Sequence, residues 1–253
     1  MKVLLFDIET APNLGYTWRK WEQNVIEFKQ DWYILCFAAK WLDDPAIITA
    51  ALPDFPAFKK QPTNDKWVCK ALWKLMDEAD VCVAHNGMSF DFRKAHARFV
   101  IHGLRPPMPY KAVDTKRIAK RFFNFDSNKL DDLGRQLGLG RKLHHGEGFQ
   151  LWLDCMAGKP KAWETMVAYN KQDVVLLEKV YMKLRGWQTN HPNHNFFDDT
   201  KDNCPTCGGH RLQARGVVKT LTSEYKRYYC ADCGAWSRGN LFRTYKVERR
   251  NPP

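Results

Sequence analysis

Residues 2–9 form an apolar run that ends in acids, Val3-Leu4-Leu5-Phe6-Asp7-Ile8-Glu9, and predict a buried strand with carboxylates at its C-terminal end. Residues 33–42 and 46–52 predict two further strands. Asp54 to Pro62 is proline-rich and interrupts the pattern. From Asn64 to Ala79 the spacing of Trp67, Leu72, Leu75 and Met76 predicts an amphipathic helix. Val81-Cys82-Val83-Ala84 reads as a short buried strand closed by Asn86-Gly87. A helix follows from about Phe90 to His102, stopped by Gly103 and Pro106-Pro107. Helices are expected near 114–123 and 128–137, a loop at 141–150, and a long helix from Pro160 to about Arg185. Strands followed by alternating strand and helix predict an α/β fold, a mixed sheet covered by helices. Trp187 to Asn203 is polar and reads as a linker. Beyond it the pattern turns strand-like.

Composition sharpens this. A hydrophobic fraction of 44% is enough for a core and argues against wholesale disorder. No apolar run approaches the roughly 20 residues of a membrane helix, and acids interrupt the N-terminal apolar stretch before any signal-peptide core develops. We expect an intracellular protein with no membrane partner. The net charge of +12 suits a polyanion, with nucleic acid the first choice. Residues 201–253 hold 11 Lys/Arg against four Asp/Glu, so they supply +7 of that charge. Cys36, Cys69, Cys82 and Cys155 are scattered through apolar segments, as buried thiols in a reducing compartment are.

Four carboxylates stand out. Asp7 and Glu9 are two apart on a strand, so both emerge on one face. Their repulsion calls for a partner, and hard oxygen ligands suit Mg²⁺ or Mn²⁺; a solvated strand end is the alternative. Asp91 opens a helix after His85-Asn86-Gly87 and could be an ordinary N-terminal acid. Asp173 borders the apolar stripe of the long helix, with Tyr169 one turn earlier. That pair is either a satisfied polar contact or a catalytic one.

Taken together, Phe6-Asp7-Ile8-Glu9-Thr10, Asn86-Gly87-Met88-Ser89-Phe90-Asp91 and Tyr169-Asn170-Lys171-Gln172-Asp173 resemble the three motifs of the DEDD 3′→5′ exonuclease superfamily. Ala168 stands where the DEDDh subgroup has histidine, so the chain resembles the DEDDy subgroup, and within it the YprB-type ribonuclease-H-like domains. The resemblance implies a ribonuclease-H-like fold and DnaQ-like chemistry. Two metal ions about 4 Å apart clamp the terminal phosphate, and a nucleoside 5′-monophosphate is released. It implies that Asp7 bridges the ions, that Glu9 and Asp173 hold the one activating water, and that Asp91 anchors the other. Tyr169 orients the water, while Thr10 and Asn86 lie near the terminal nucleotide. DNA is the favoured substrate, single-stranded or frayed, with RNA possible. A polymerase or a repair protein is a possible partner, and the cytoplasm of a bacterium or a phage-infected host the expected location. A non-catalytic nucleic-acid-binding protein is the alternative. His144-His145-Gly146-Glu147-Gly148 fits no zinc signature and reads as a loop near the substrate.

Cys204-Pro205-Thr206-Cys207 and Cys230-Ala231-Asp232-Cys233 are two Cys-x-x-Cys knuckles with 22 residues between them, each followed by glycine. That spacing predicts a structural Cys₄ zinc site in a small β-rich zinc ribbon. Arg211, Arg215, Lys219, Lys226, Arg227, Arg238 and Arg243, interleaved with Tyr225, Tyr228, Tyr229 and Trp236, favour nucleic-acid binding over protein docking. The expected organisation is an exonuclease domain at 1–187, a linker at 188–203 and a ribbon with a basic tail at 204–253.

Overall fold

Strand β1 (Val3–Thr10) is buried on both faces over its first four residues, which explains why it reads as an unbroken apolar run. One edge of it pairs antiparallel with β4 (Ile34–Trp41), with Asp7 opposite Ala38. The other edge pairs parallel with β6 (Val81–Ala84), with Leu4 opposite Cys82. Strand β5 (Ile48–Ala51) extends the sheet antiparallel beyond β4, and β7 (Lys111–Asp114) extends it parallel beyond β6. The order is β5-β4-β1-β6-β7, so the strand bearing Asp7 and Glu9 lies at the centre. The structure is a computed structural model that describes residues 1–21, 24–143, 146, 148–197 and 203–244. It divides into two compact units, Lys2–Tyr181 and Met182–Pro253.

Helices cover this sheet in the first unit, as the α/β expectation requires. They are α1 (Lys66–Glu78), α2 (Asp91–Ile101), α3 (Thr115–Phe122), α4 (Leu130–Gln136), α5 (Gln150–Met156) and α6 (Pro160–Leu184). Helix α1 buries Val68, Cys69, Leu72 and Met76. The expected stripe began at Trp67, but Trp67 is exposed, with the Lys70 ammonium over its ring. Phe6 of β1 meets Phe92 of α2 edge-on, 5.3 Å between ring centres, and Phe92 stacks on Tyr110. Helix α6 sends Met166, Val174, Leu177, Val180 and Tyr181 into the core, and its Glu178 accepts a 2.6 Å ion-pair contact from Lys40 of β4. Two short strands, β2 (Leu14–Tyr16) and β3 (Glu27–Gln30), pair as a separate ribbon. Among the described residues no helix is long and apolar enough to cross a membrane.

The second unit carries a three-stranded antiparallel sheet, β8 (Leu212–Lys219), β9 (Ser223–Cys230) and β10 (Trp236–Thr244), in the order β10-β9-β8. Its buried apolar residues are few, with Cys204, Cys230 and Ala235 at their centre. Between α6 and this sheet, the segment read as a linker includes a 3₁₀ turn at His194–Phe196. His144, His145 and Glu147 lie outside the described residues, as do 198–202 and the tail from 245.

Candidate active site

The end of β1 presents Asp7 and Glu9 on one face, and Asp173 of α6 projects to the same place. One oxygen from each lies within 4.8 Å of the others. Helix α6 delivers a second group from the same face three residues earlier. Asn170 is fully buried, and its Nδ2 donates to Asp7 Oδ2 at 2.7 Å and to the Asp7 carbonyl at 3.3 Å. Asp91 stands apart from the trio, in the first turn of α2 rather than at its N-cap. It is 2% exposed, and it accepts the Ile8 backbone N–H of β1 at 3.2 Å. The local turn explains its placement. Asn86 adopts a left-handed φ of 66°, and a Cβ on Gly87 would come within 2.6 Å of the Ala84 side chain. Asp114 holds this turn by accepting from Asn86 N (3.0 Å) and Met88 N (3.1 Å) while capping α3.

Burial, and then the charges of Asp91, Glu9 and Asp173, push Asp7 well above the usual carboxylate range. Burial and the Asp173 charge push Glu9 to about 8, and burial raises Asp91 to about 7. Asp173 is also raised, by burial, although Lys142 pulls the other way. Lys142 Nζ donates to Asp173 Oδ2 at 2.5 Å and to Tyr169 Oη at 2.9 Å. This ammonium is a cation in contact with the acid cluster, and sequence reasoning missed it, as it missed Asn170 and Asp114. The other oxygen of Asp173 is buried without a hydrogen-bond partner among the described residues. Clustered, desolvated carboxylates with an orphaned oxygen fit a hard divalent cation.

Beside Glu9 a cavity of about 500 Å³ is lined by Thr10, Asn13, Trp32, Lys94, Phe149 and Trp152, among others. Thr10 thus lines the cavity next to Glu9. Asn86 is not among the lining residues; its backbone serves the turn. Lys94 Nζ sits 3.6 Å from the centre of the Trp32 ring, and Trp152 meets Tyr169 edge-on.

A family model described as RNase_H superfamily matches residues 31–185, more than half of the chain. The chain belongs to the RNase_H superfamily. The matched span of this RNase_H protein includes Asp91, Tyr169 and Asp173 but begins after Asp7 and Glu9. The geometry joins those two acids to the rest. Among solved structures the chain is similar to that of a family B DNA polymerase from the hyperthermophilic archaeon Pyrobaculum calidifontis. The TM-score is 0.54 at 18% identity, over 72% of this chain and 24% of the polymerase. The chain thus spans about a quarter of that polymerase, and the likeness is one of fold. No curated protein matches it. Superfamily and acid cluster together support a nuclease that acts on nucleic acid.

In the second unit the four knuckle cysteines converge. Cys204 and Cys233 Sγ are 3.7 Å apart, as are those of Cys207 and Cys230. A disulfide needs about 2.0 Å. Four thiolates placed tetrahedrally around Zn²⁺ at about 2.3 Å would be about 3.8 Å apart, so the cluster fits that ion. The two knuckles are built alike. Gly208 N donates to the Cys204 carbonyl (2.8 Å) and Gly234 N to that of Cys230 (2.9 Å), each glycine at a left-handed φ near 70° to 75°. A third group, Asp65, Cys69 and His102, is already satisfied. Arg98 donates two bonds to Asp65, which also accepts Ile34 N.

Proposed function

We propose that this chain is a metal-dependent 3′→5′ exonuclease of the DEDDy type. The observation that carries the reading is the convergence of Asp7, Glu9 and Asp173, flanked by Asp91 and Tyr169, beside an aromatic and cationic cavity. Asp7, Glu9 and Asp173 would hold one Mg²⁺ or Mn²⁺, and Asp7 with Asp91 the other. Such ions lower the pKa of bound water and offset charge on the phosphoryl oxygens. The protein's own share is positional. Asn170 fixes Asp7, and the Tyr169 hydroxyl orients the attacking water. Trp32, Phe149 and Lys94 would receive the terminal base and phosphate. Water attacks the terminal phosphodiester in line, the 3′-oxygen of the preceding nucleotide leaves, and a nucleoside 5′-monophosphate is released. DNA is the favoured substrate, and the seven exposed Lys/Arg of residues 211–243 supply phosphate contacts from a zinc-held ribbon. A polymerase or repair protein is a fitting neighbour for such an activity in the cell.

The test is a panel of 5′- and 3′-labelled single-stranded DNA, duplex DNA and RNA, with Mg²⁺ or Mn²⁺. Stepwise shortening from the 3′ end, with mononucleotide product, is expected. Internal cuts or 5′-end release would overturn the polarity. One observation favours a second reading: the Lys142 ammonium already contacts Asp173. A non-catalytic nucleic-acid-binding protein would bind the panel without cleaving it and show no Mn²⁺ uptake at the acids.

A further inference from the structure

The three-stranded sheet of the second unit has two chemically different faces. Side chains alternate along β9, so Tyr225, Arg227 and Tyr229 point to one side, and Glu224 and Cys230, both buried, to the other. The β9–β10 register sets Trp236 opposite Tyr229 and Arg238 opposite Arg227, which brings both onto the first face. There the Trp236 and Tyr229 ring centres are 5.3 Å apart, and Trp236 remains 56% exposed. The Arg227 guanidinium lies 4.9 Å from the centre of the Trp236 ring, and that of Arg238 lies 4.5 Å from the centre of the Tyr225 ring. The face is thus a pair of arginines flanked diagonally by aromatic rings.

Two arginines directly opposite each other across a ladder repel and weaken the sheet. Neither has a carboxylate partner among the described residues, because the two acids of residues 211–244 are engaged elsewhere: Glu224 with Lys219 at 3.3 Å, and Asp232 with Arg211 at 2.5 Å. Arg227 Nε donates to the Arg215 carbonyl at 3.0 Å, which fixes the side chain and leaves its terminal N–H groups for another acceptor. An anion held between the two guanidinium groups would offset their repulsion, and the edge of a guanidinium suits phosphate oxygens. Beside that anion the exposed indole offers a flat apolar surface, which suits a base free to leave its stack. In a duplex the bases stack on one another and are closed to such a surface. We propose that this face binds single-stranded nucleic acid, with a phosphate between Arg227 and Arg238 and a base on Trp236. This rests on nucleic acid being the substrate, and it adds a single-strand preference carried by the second unit rather than by the acid cluster.

The experiment uses the full chain carrying Asp7→Asn, so that the probe survives, with zinc bound. Fluorescence anisotropy compares a labelled single strand with a blunt duplex of the same length at several salt concentrations. Trp236→Ala should weaken single-strand binding about tenfold and leave duplex binding within about twofold. Arg227→Gln should lower the slope of log K against log salt by about 0.7 on the single strand. The zinc content of each variant reports whether the ribbon is intact; if Trp236→Ala loses the metal, Arg227→Gln decides alone. Trp236→Ala that keeps its zinc and binds the single strand as tightly as its parent, or that weakens both probes equally, overturns the proposal, as does an unchanged slope for Arg227→Gln. Hydrolysis by the chain with its acids intact is measured alongside. Hydrolysis with binding indifferent to these variants sinks the face alone, and variant-sensitive single-strand binding without hydrolysis sinks the nuclease reading alone.

Discussion

Asp7, Glu9 and Asp173 crowd three carboxylates into a half-buried space, and that crowding has a cost when no cation is bound. Asp7→Asn or Asp173→Asn should abolish nuclease activity, since a hard-metal ligand is lost, yet leave the protein folded. Asp7→Asn should also raise the melting temperature measured without Mg²⁺ or Mn²⁺, because one repelling charge has gone, whereas Asp173→Asn also loses the ion pair to Lys142. Activity that survives either change, or a fall in the metal-free stability of Asp7→Asn, would contradict the assignment. The pH dependence follows the same cause. In the unfolded chain these groups lose protons near their ordinary values, whereas in the folded chain Glu9 keeps its proton to about 8 and Asp91 to about 7. The folded state therefore binds more protons over this window, and metal-free stability should fall as pH rises from about 4.5 to about 8. Mn²⁺ should restore more stability at pH 8 than at pH 5, because it binds the deprotonated carboxylates. A flat melting profile with a pH-independent Mn²⁺ effect would refute this. Tyr169→Phe keeps the ring against Trp152 but removes the hydroxyl. A partial loss of rate, about 10- to 1000-fold, is expected in single-turnover assays, with metal-free melting little changed. An unchanged rate would make Tyr169 a packing residue. The four acids and Tyr169 were legible in the sequence because their spacing within each motif reflects one strand end, one helix start and one helix face. Lys142, Asn170 and Asp114 were not. Lys142 reaches Asp173 from 31 positions away, and Asp114 reaches Asn86 from 28, so only the packed fold reveals the contact.

At the scale of elements, one buried ion pair ties three of them. Asp65 precedes α1, its side chain has no exposure, and it accepts Ile34 N of β4 as well as Arg98 and His102 from α2 and its end. Burial alone would raise its pKa, but the bonds from Arg98, Ile34 and His102 outweigh that and lower it. Asp65→Ala should destabilise the first unit by about 3 kcal/mol, since it leaves Arg98 desolvated and unpaired. Urea unfolding measures this directly, and a loss under about 1 kcal/mol would mean that the pair is open to water. Such ties also explain which elements were legible. The strands β1, β4 and β6 carry apolar runs buried on both faces, and α6 has seven turns of periodicity; these stand out against any background. Strand β7 has four residues, of which only Val113 and Asp114 are buried, and it pairs with β6 alone. Residues 111–113 carry too short a pattern to predict a strand, and α3 follows without a break. Helix α5 has seven residues, too few for a periodic signal, yet it brings Trp152 to Glu9. The ribbon of β2 and β3 leaves Leu14, Tyr16 and Phe28 exposed, so no alternation of buried and open positions marks it.

At the scale of the whole chain, the question is what each of the two units contributes. The first unit holds the acids, the aromatic cavity and a five-stranded sheet, while the second has a core of a few residues gathered around its four cysteines. A chain cut after Trp187, which retains all of α6, should therefore fold without zinc and keep turnover on short oligonucleotides. Residues 201–253 carry a net +7, and deletion of 188–253 also removes Asp198 and Asp199, for a net loss of +5. Longer strands should then bind more weakly. The salt dependence discriminates between explanations: each lost phosphate contact removes about 0.7 from the slope of log K against log salt on a single strand and about 0.9 on a duplex. If four of the seven exposed cations of the second unit touch phosphate, the single-strand slope should fall by about 3 units. Binding of a long labelled strand would be measured at several salt concentrations for the full and the shortened chains, with Asp7→Asn in both to prevent cleavage. Parallel slopes would mean that the second unit never meets the nucleic acid, and its exposed aromatics would then belong to a protein interface. A shortened chain that fails to fold would place part of the first unit's stability in residues beyond Trp187.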